Sequence, residues 1–316
     1  MHLIIDTDTA GDDVVALMIA LASPDIELAG ITINAGNVSF NQQVENALKT
    51  VEVMGRSGDI KVYPGATAPL LRPWVGAEYV HGSDGMGEAH FPAVRQRPER
   101  QHAVEFLIES ARRWAGDLVI VAQAPLTNLA LAVRQDPGFA GRVGTLWVMG
   151  GTNNAPGNIE PLSEYNFYVD PEAAAIVFGA GFHLFMVGWD IALQASVLTR
   201  DDLLTIESMN TVYSQFFLQT QKSVIEFNQR VAHIDGTTHP DSLTVAMALQ
   251  KDVWMAGAPY YVGIETQGLL TRGVSVVDQL GVWKKPPNAQ VCLRANGALF
   301  KTMLFDLLRS GPKLLP

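Results

Sequence analysis

Asp6, Asp8, Asp12 and Asp13 fall within eight consecutive positions, in the stretch Leu3-Ile4-Ile5-Asp6-Thr7-Asp8-Thr9-Ala10-Gly11-Asp12-Asp13-Val14. Carboxylates this dense repel one another unless a cation or several hydrogen-bond donors neutralise them. Calcium and magnesium take oxygen ligands of this kind. The apolar run before them reads as a buried strand, and the periodic Val14, Leu17, Met18 and Leu21 after them as a helix. Asp6 and Asp8 therefore belong to the carboxyl end of a strand, Asp12 and Asp13 to the first turn of the next helix. In an open α/β sheet, ligands bind outside the carboxyl ends of the strands. Capping and the helix dipole account for one acidic residue at a helix start, but not for Asp6 and Asp8 as well.

Three further polar clusters carry chemistry-bearing side chains. Residues 157–166 hold Asn158, Glu164 and Asn166, whose donors and acceptors suit hydroxyl groups. In an extended segment Glu164 and Asn166 point the same way, although Asn and Gly are also ordinary turn formers. His81-Gly82-Ser83-Asp84-Gly85-Met86-Gly87 is too rich in glycine for a regular element and reads as a functional loop. His239-Pro240-Asp241 opens a helical pattern, where Asp241 alone reads as a cap. Cys292 lies in a strand-like run and reads as a buried, inert thiol.

The elements that position these groups alternate along the chain. Strands are expected at 27–33, 117–121, 145–149 and 183–187. Helices are expected from about Ser39, over 102–114 and 126–133, and over 171–178, where Asp170 caps and Pro171 takes the first position. Helices are expected at about 200–230, 242–249 and 297–308, and strands at 260–264, 273–277 and 290–293. Residues 64–100 read as loop with short elements. The alternation predicts a single α/β domain over 1–316, with a mostly parallel, Rossmann-like sheet flanked by helices. The later helices cover the carboxyl edge of that sheet.

With 316 residues, 48% hydrophobic, the chain can bury a large core. A formal charge of −10 argues against nucleic acid or an anionic membrane as partner. One cysteine leaves no internal disulfide. No apolar run reaches the roughly 18 residues of a membrane span, and the acidic amino terminus does not read as a signal peptide. A cytoplasmic location is the expectation.

Taken in order, the clusters resemble the inosine–uridine-preferring nucleoside hydrolase family. Its opening Asp-x-Asp-Pro-Gly-x-Asp-Asp is similar to residues 6–13. Its Ala-Gly-Asn is similar to Ala35-Gly36-Asn37, its Leu-Thr-Asn-x-Ala to residues 126–130, and its Gly-Asn…Glu-Phe-Asn…Asp-Pro-Glu-Ala-Ala to Gly157-Asn158, Glu164-Tyr165-Asn166 and residues 170–174. Its late Asp is similar to Asp241. The resemblance implies hydrolysis of the N-glycosidic bond of a ribonucleoside, with a role in nucleoside salvage, and a homodimer or homotetramer. It implies a calcium ion held by Asp8, Asp13, Asp241 and the main-chain carbonyl of Gln123, with Asp8 taking a proton from the calcium-bound water. It implies that Asp12, Asn37, Asn158, Glu164 and Asn166 meet the ribose. The chain departs from the pattern at Thr9-Ala10, at Ala124, and most of all at Pro240, where many members carry the His that protonates the leaving base. His239 is offset by one residue, so His81 takes the expected acid role, with Trp189, Phe227 or Trp74 as candidates for stacking on the base. Two rivals stand beside this assignment. One is a magnesium phosphatase of the haloacid-dehalogenase type, built on Asp6-Thr7-Asp8-Thr9, which leaves Asp12-Asp13 unused. The other is a calcium-dependent ribose-binding protein without turnover.

Overall fold

A computed structural model describes residues 1–314. Its strands are β1 (His2–Thr7), β2 (Glu27–Ile33), β3 (Val62–Pro64), β4 (Leu118–Gln123), β5 (Thr145–Met149), β6 (Leu184–Val187), β7 (Val197–Thr199), β8 (Gly236–Thr238), β9 (Trp254–Tyr260), β10 (Val262–Ile264), β11 (Ser275–Val277) and β12 (Ala289–Ala295). Eight of them form the central sheet in the order β3-β2-β1-β4-β5-β6-β12-β9. All neighbours in it are parallel except β9, which runs antiparallel to β12. Strands β7 with β8 and β10 with β11 make two small antiparallel sheets.

The strand order reverses between β1 and β4, which makes a crevice outside their carboxyl ends. Register fixes what meets there, because Thr7 is level with Ile33 on one side and with Gln123 on the other. The residues that follow β1 and β2, together with the end of β4, therefore share one edge.

Alternation along β1 divides the core. Leu3 and Ile5 face the helices Gly11–Ala22, Phe40–Val53, Pro240–Leu249 and Gly297–Ser310. Ile4 faces the helices Ala103–Arg113, Thr127–Gln135 and Pro171–Phe178. The helix Gly11–Ala22 is buried from Gly11 to Leu21, so it is apolar nearly all round where a surface helix would carry a polar face. Its start is pinned by Asp13, whose Oδ2 accepts the Ala10 N–H at 3.1 Å.

The same alternation turns Asp6 away from the other three aspartates, onto the Ile4 face. Its Oδ1 accepts from Thr32 Oγ1 at 2.6 Å and from Asn128 Nδ2 at 2.8 Å. Asn128 also donates to Ile33 O at 3.0 Å and accepts the Ala66 N–H at 2.8 Å. Thr127 Oγ1 donates to Asp170 at 2.7 Å. The Leu126-Thr127-Asn128 motif is thus a brace that ties β1, β2 and the loop after β3 together.

Three features differ from expectation. The run 260–264 divides, with Tyr260 ending β9, an edge strand of alternating half-buried and exposed residues that passes through Gly257 and Pro259, and Val262 starting β10, its N–H taken by Asn288 Oδ1 at 2.7 Å. Glu164 and Asn166 do not alternate on a strand: Glu164 caps the short helix Tyr165–Val169. Trp189 opens an unanticipated helix, Trp189–Ala195. The capped helix at Pro171–Phe178 stands as read, with Asp170 Oδ1 accepting the Ala173 N–H at 3.0 Å. Cys292 is fully buried, and burial pushes its thiol up to about 12. Among the described residues, no helix is long and apolar enough to cross a membrane.

Asn128→Ala removes the brace, leaving the Ala66 N–H without its acceptor and Asp6 Oδ1 with one donor fewer. The variant is expected to lose about 1–3 kcal/mol of stability in urea unfolding; wild-type stability would show that these bonds contribute nothing net.

Candidate active site

At the switch point the carboxyl ends of β1, β2, β4 and β5 open into a cavity of about 440 Å3. Asp8, Gln123 and Asp241 form its buried acidic floor, and Asn37, Asn158, Glu164 and Asn166 its polar wall. Tyr79, Trp189, Leu193, Phe227 and Val231 form an apolar mouth. A larger groove, about 950 Å3, opens at the amino end of β6, but no carboxylate lines it.

The floor is short of donors. Asp8 Oδ2 accepts the Asn37 N–H at 3.0 Å, while Asp8 Oδ1 is buried without a partner. Burial first, and then the neighbouring Asp13, push the Asp8 carboxyl well above its usual range. Asp241 is raised well above it too, by burial and then by Asp13, Asp12 and Asp8. Gln123 donates from Nε2 to Asp13 at 3.0 Å, and its Oε1 is buried with no partner. The backbone can bring Asp8 this close because residue 36 is glycine: a Cβ there would collide with the Asp8 carboxylate. The loop after β2 is therefore moulded around Asp8.

Asp13 lies behind Asp8 and does not border the cavity. Both of its oxygens are taken, by Thr7 Oγ1 at 2.6 Å, Gln123 Nε2 at 3.0 Å, Ala10 N at 3.1 Å and Asn37 Nδ2 at 3.2 Å. Burial nevertheless raises its carboxyl to about 6. Asp12 does border the cavity, but it is committed to the start of the helix Pro240–Leu249. Its Oδ2 accepts from Asp241 N at 2.6 Å and Ser242 N at 3.4 Å, and its Oδ1 from His239 Nδ1 at 2.8 Å and from Ser242 Oγ.

On the polar wall, Glu164 caps its helix by accepting from Asn166 N at 2.8 Å and Phe167 N at 3.2 Å, and it also accepts Gly151 N at 2.8 Å. Burial still lifts its carboxyl to about 7. Asn158 Oδ1 accepts the Tyr165 N–H at 2.8 Å, and Asn166 Nδ2 donates to Met149 O at 3.2 Å. Asn158 and Asn166 are thus anchored through one part of the side chain, and Glu164 through both carboxylate oxygens.

His81 ends the short helix Glu78–His81 and packs against Gly11, with a buried Nδ1 that has no partner. Burial lowers its imidazole to about 4, with the Asp12 charge opposing the shift. The loop after it is a rigid hub: Asp84 accepts from Met86 N, Glu88 N and His90 N at 2.8–3.0 Å, and Gly85 O accepts the Gly11 N–H at 2.9 Å.

Of the residues nominated from sequence, Asp8, Asp12, Asn37, His81, Gln123, Asn158, Glu164, Asn166 and Asp241 share this one cavity. Asp13 stands one layer behind. Trp189 and Phe227 border the mouth, but Trp74 does not; its Nε1 donates to Gly36 O at 2.6 Å. Sequence reasoning missed Tyr79, which meets Phe227 edge-on with centroids 5.7 Å apart, and Tyr165 and Asn228. It also missed the turn that aims Phe227. The helix Val212–Phe227 runs into a π-helical turn, Asn228–Ala232, closed by His233 at φ 55°. Such turns collect at functional sites, but no residue type announces one.

The profile of the inosine-uridine preferring nucleoside hydrolase family matches residues 3–302. A probable uridine nucleosidase of Arabidopsis thaliana is 32% identical over 318 residues, covering 97% of each chain. A pyrimidine-specific ribonucleoside hydrolase of Escherichia coli is 32% identical over 315 residues, covering 98% of each. Among solved structures, a purine-preferring ribonucleoside hydrolase from Gardnerella vaginalis superposes with a TM-score of 0.90 at 30% identity, covering 98% of this chain and 99% of that one.

Raised carboxyl pKa values fix the sign of a pH effect. The folded state binds more protons than the unfolded chain wherever its carboxyls titrate high, so stability falls as pH rises through that window. With Asp6 and Asp13 at about 6 and Glu164 at about 7, the melting temperature in chelator is expected to fall between about pH 4.5 and 7.5. Added calcium is expected to raise it more at pH 7.5 than at pH 5, since cation binding needs the carboxylates ionised. A calcium shift that is equal at both values, measured by scanning calorimetry, would speak against Asp8, Asp13 and Asp241 as the binding group.

Proposed function

Because the chain belongs to the inosine-uridine preferring nucleoside hydrolase family, we propose that it hydrolyses ribonucleosides to ribose and free base with calcium at the acidic floor of this cavity. What carries the reading is the convergence of nine nominated side chains on one cavity at the switch point of the sheet. The match over 3–302 and a site drawn from Asp8 through Asp241 support the whole chain acting as one unit. The phosphatase rival loses its support with the family assignment, and it gave no role to Asp12 and Asp13.

The donor set fits a hard cation in kind. Asp8 Oδ1 and Gln123 Oε1 are buried oxygens without partners, and after burial the Asp13 charge raises Asp8, and the Asp13, Asp12 and Asp8 charges raise Asp241. Among the described residues, no three acidic, His or Cys side chains already stand at ligand spacing, so the floor is a set of donors awaiting a charge to draw them in. Asp8, Asp241 and Gln123 would hold the ion, and Asp13 would reach it by giving up a present partner. Calcium there supplies a positive charge that lowers the pKa of water and orients hydroxyls.

The rest is work for the protein's own groups. Asp8 takes a proton from the attacking water, whose oxygen bonds to the anomeric carbon as the bond to the base nitrogen breaks. Asn37, Asn158, Glu164 and Asn166 hold the ribose hydroxyls, and Asp12 joins them by exchanging its long 3.4 Å bond from Ser242 N. The positive charge that builds on the sugar is stabilised by the surrounding carboxylates. The bonding pair leaves with the base, which sits at the mouth against Tyr79, Trp189 and Phe227. His81 faces it from the wall. Burial keeps its imidazole uncharged in the free enzyme at neutral pH, so it serves as acid by taking up a second proton from solvent as negative charge builds on the departing base and passing that proton to the base nitrogen.

The test is ribose release from inosine, adenosine, guanosine, uridine and cytidine, with calcium and after chelation. Asp8→Ala is expected to lower kcat by about 10²–10⁴-fold. No release from any of the five, with ribose still bound, would establish the binding-protein alternative instead. His81→Ala is expected to lose a similar factor on nucleosides but little on p-nitrophenyl riboside, whose leaving group needs no proton. Equal losses on both would take His81 off the leaving-group side.

A further inference from the structure

His239 is the one histidine of seven that is fully buried, yet it does not border the cavity. Pro240 takes the cavity wall, and the His239 ring lies behind it, stacked on Phe217 with centroids 5.4 Å apart. Its Nδ1 is 2.8 Å from Asp12 Oδ1. The other three partners of the Asp12 carboxyl, Asp241 N, Ser242 N and Ser242 Oγ, all donate to it, so it is the acceptor here too and Nδ1 carries the hydrogen. The other ring nitrogen, Nε2, is buried and has no partner.

That combination needs a reason. A phenylalanine would stack on Phe217 as well and would bury no unmatched nitrogen, which carries a desolvation penalty. The single thing the imidazole adds is the bond to Asp12. Asp12 in turn holds the first turn of the helix Pro240–Leu249 through Asp241 N at 2.6 Å and Ser242 N at 3.4 Å. The bonded residues stand 227 to 230 positions apart, so this contact registers the last part of the site against the first. The Ser196 Oγ that accepts the His239 N–H at 3.3 Å fixes the ring's own backbone.

We propose that His239 is a positioning residue which, by donating from Nδ1 to Asp12 Oδ1, orients the Asp12 carboxylate and sets where Asp241 enters the floor of the cavity. The role rests on the nucleoside-hydrolase reading of the site. It differs from an acid role, since the ring has no access to the departing base. Partners that orient ligating groups from behind typically change affinity or activity by about 10–100-fold.

Two substitutions separate the bond from the packing. His239→Phe keeps the ring against Phe217 and deletes the donor. His239→Asn deletes the ring and keeps an N–H at the reach of Nδ1. Three quantities are measured on each full-length variant: kcat and KM for the best nucleoside, the calcium Kd by titration calorimetry without substrate, and the melting temperature. His239→Phe is expected to lower kcat/KM by about 10–100-fold and weaken calcium by about tenfold, while melting near wild type. His239→Asn is expected to recover most of both functions although it melts lower. A purely structural role orders function and melting alike, with the Asn variant worse in both. Wild-type kinetics and calcium affinity in the Phe variant, or an Asn variant as impaired as it, would overturn the proposal. If the unmodified protein releases no ribose, the hydrolase reading fails by itself, and the calcium titrations still decide the role of His239.

Discussion

Asp8, Asp13 and Asp241 are buried beside one another, and Asp8 and Asp241 have fewer donors than their oxygens require. Each keeps its charge in water readily, and each resists it here, because burial first and neighbouring carboxylates second oppose ionisation. Much of the architecture manages that conflict. Thr7, Ala10, Asn37 and Gln123 saturate Asp13 so that only Asp8 and Asp241 face the cavity. Gly36 lets the loop after β2 close over Asp8, and the strand order brings Asn37 and Gln123 to its two sides. What the protein leaves unmatched, Asp8 Oδ1 and Gln123 Oε1, is the demand a hard cation meets.

The polar wall and the apolar mouth of the cavity are built on different principles. Asn158, Glu164 and Asn166 are each tied to backbone groups, so they present fixed polar atoms on a rigid frame. The mouth presents rings and aliphatic chains with few fixed bonds, and Tyr79 is 58% exposed. Similar proteins named for opposed base preferences, one pyrimidine-specific and one purine-preferring, are alike over nearly the whole chain.

Much of this was legible in the chain. The strand β1 with its aspartates, the capped helix at Pro171 and the alternation that makes a parallel sheet are local signals, written in neighbours a few residues apart. The cavity residues were legible as a set because their order along the chain resembles a family. The exceptions share a cause. Asp6 looks like its three neighbours in sequence, and only the pleat of β1 sends it to the other face. Asp12 looked free to meet a sugar, and its commitment to Asp241 and His239 depends on a contact more than two hundred residues away. Edge strand β9 escaped notice because its glycine and proline are tolerated only where one side of the strand is unpaired.

The π-helical turn at Asn228–Ala232 adds one residue to a helical circuit just where the long helix reaches the mouth. A residue gained or lost there rotates everything before it by roughly 100° on the helix, while Asn228 Nδ2 bound to Gly236 O holds the far side in place. The turn therefore behaves as an adjustable joint between a scaffold that must keep its register and a surface that need not. A residue inserted or deleted at this joint would change which side chains the mouth presents, while the bond to Gly236 keeps the strand beyond it in register.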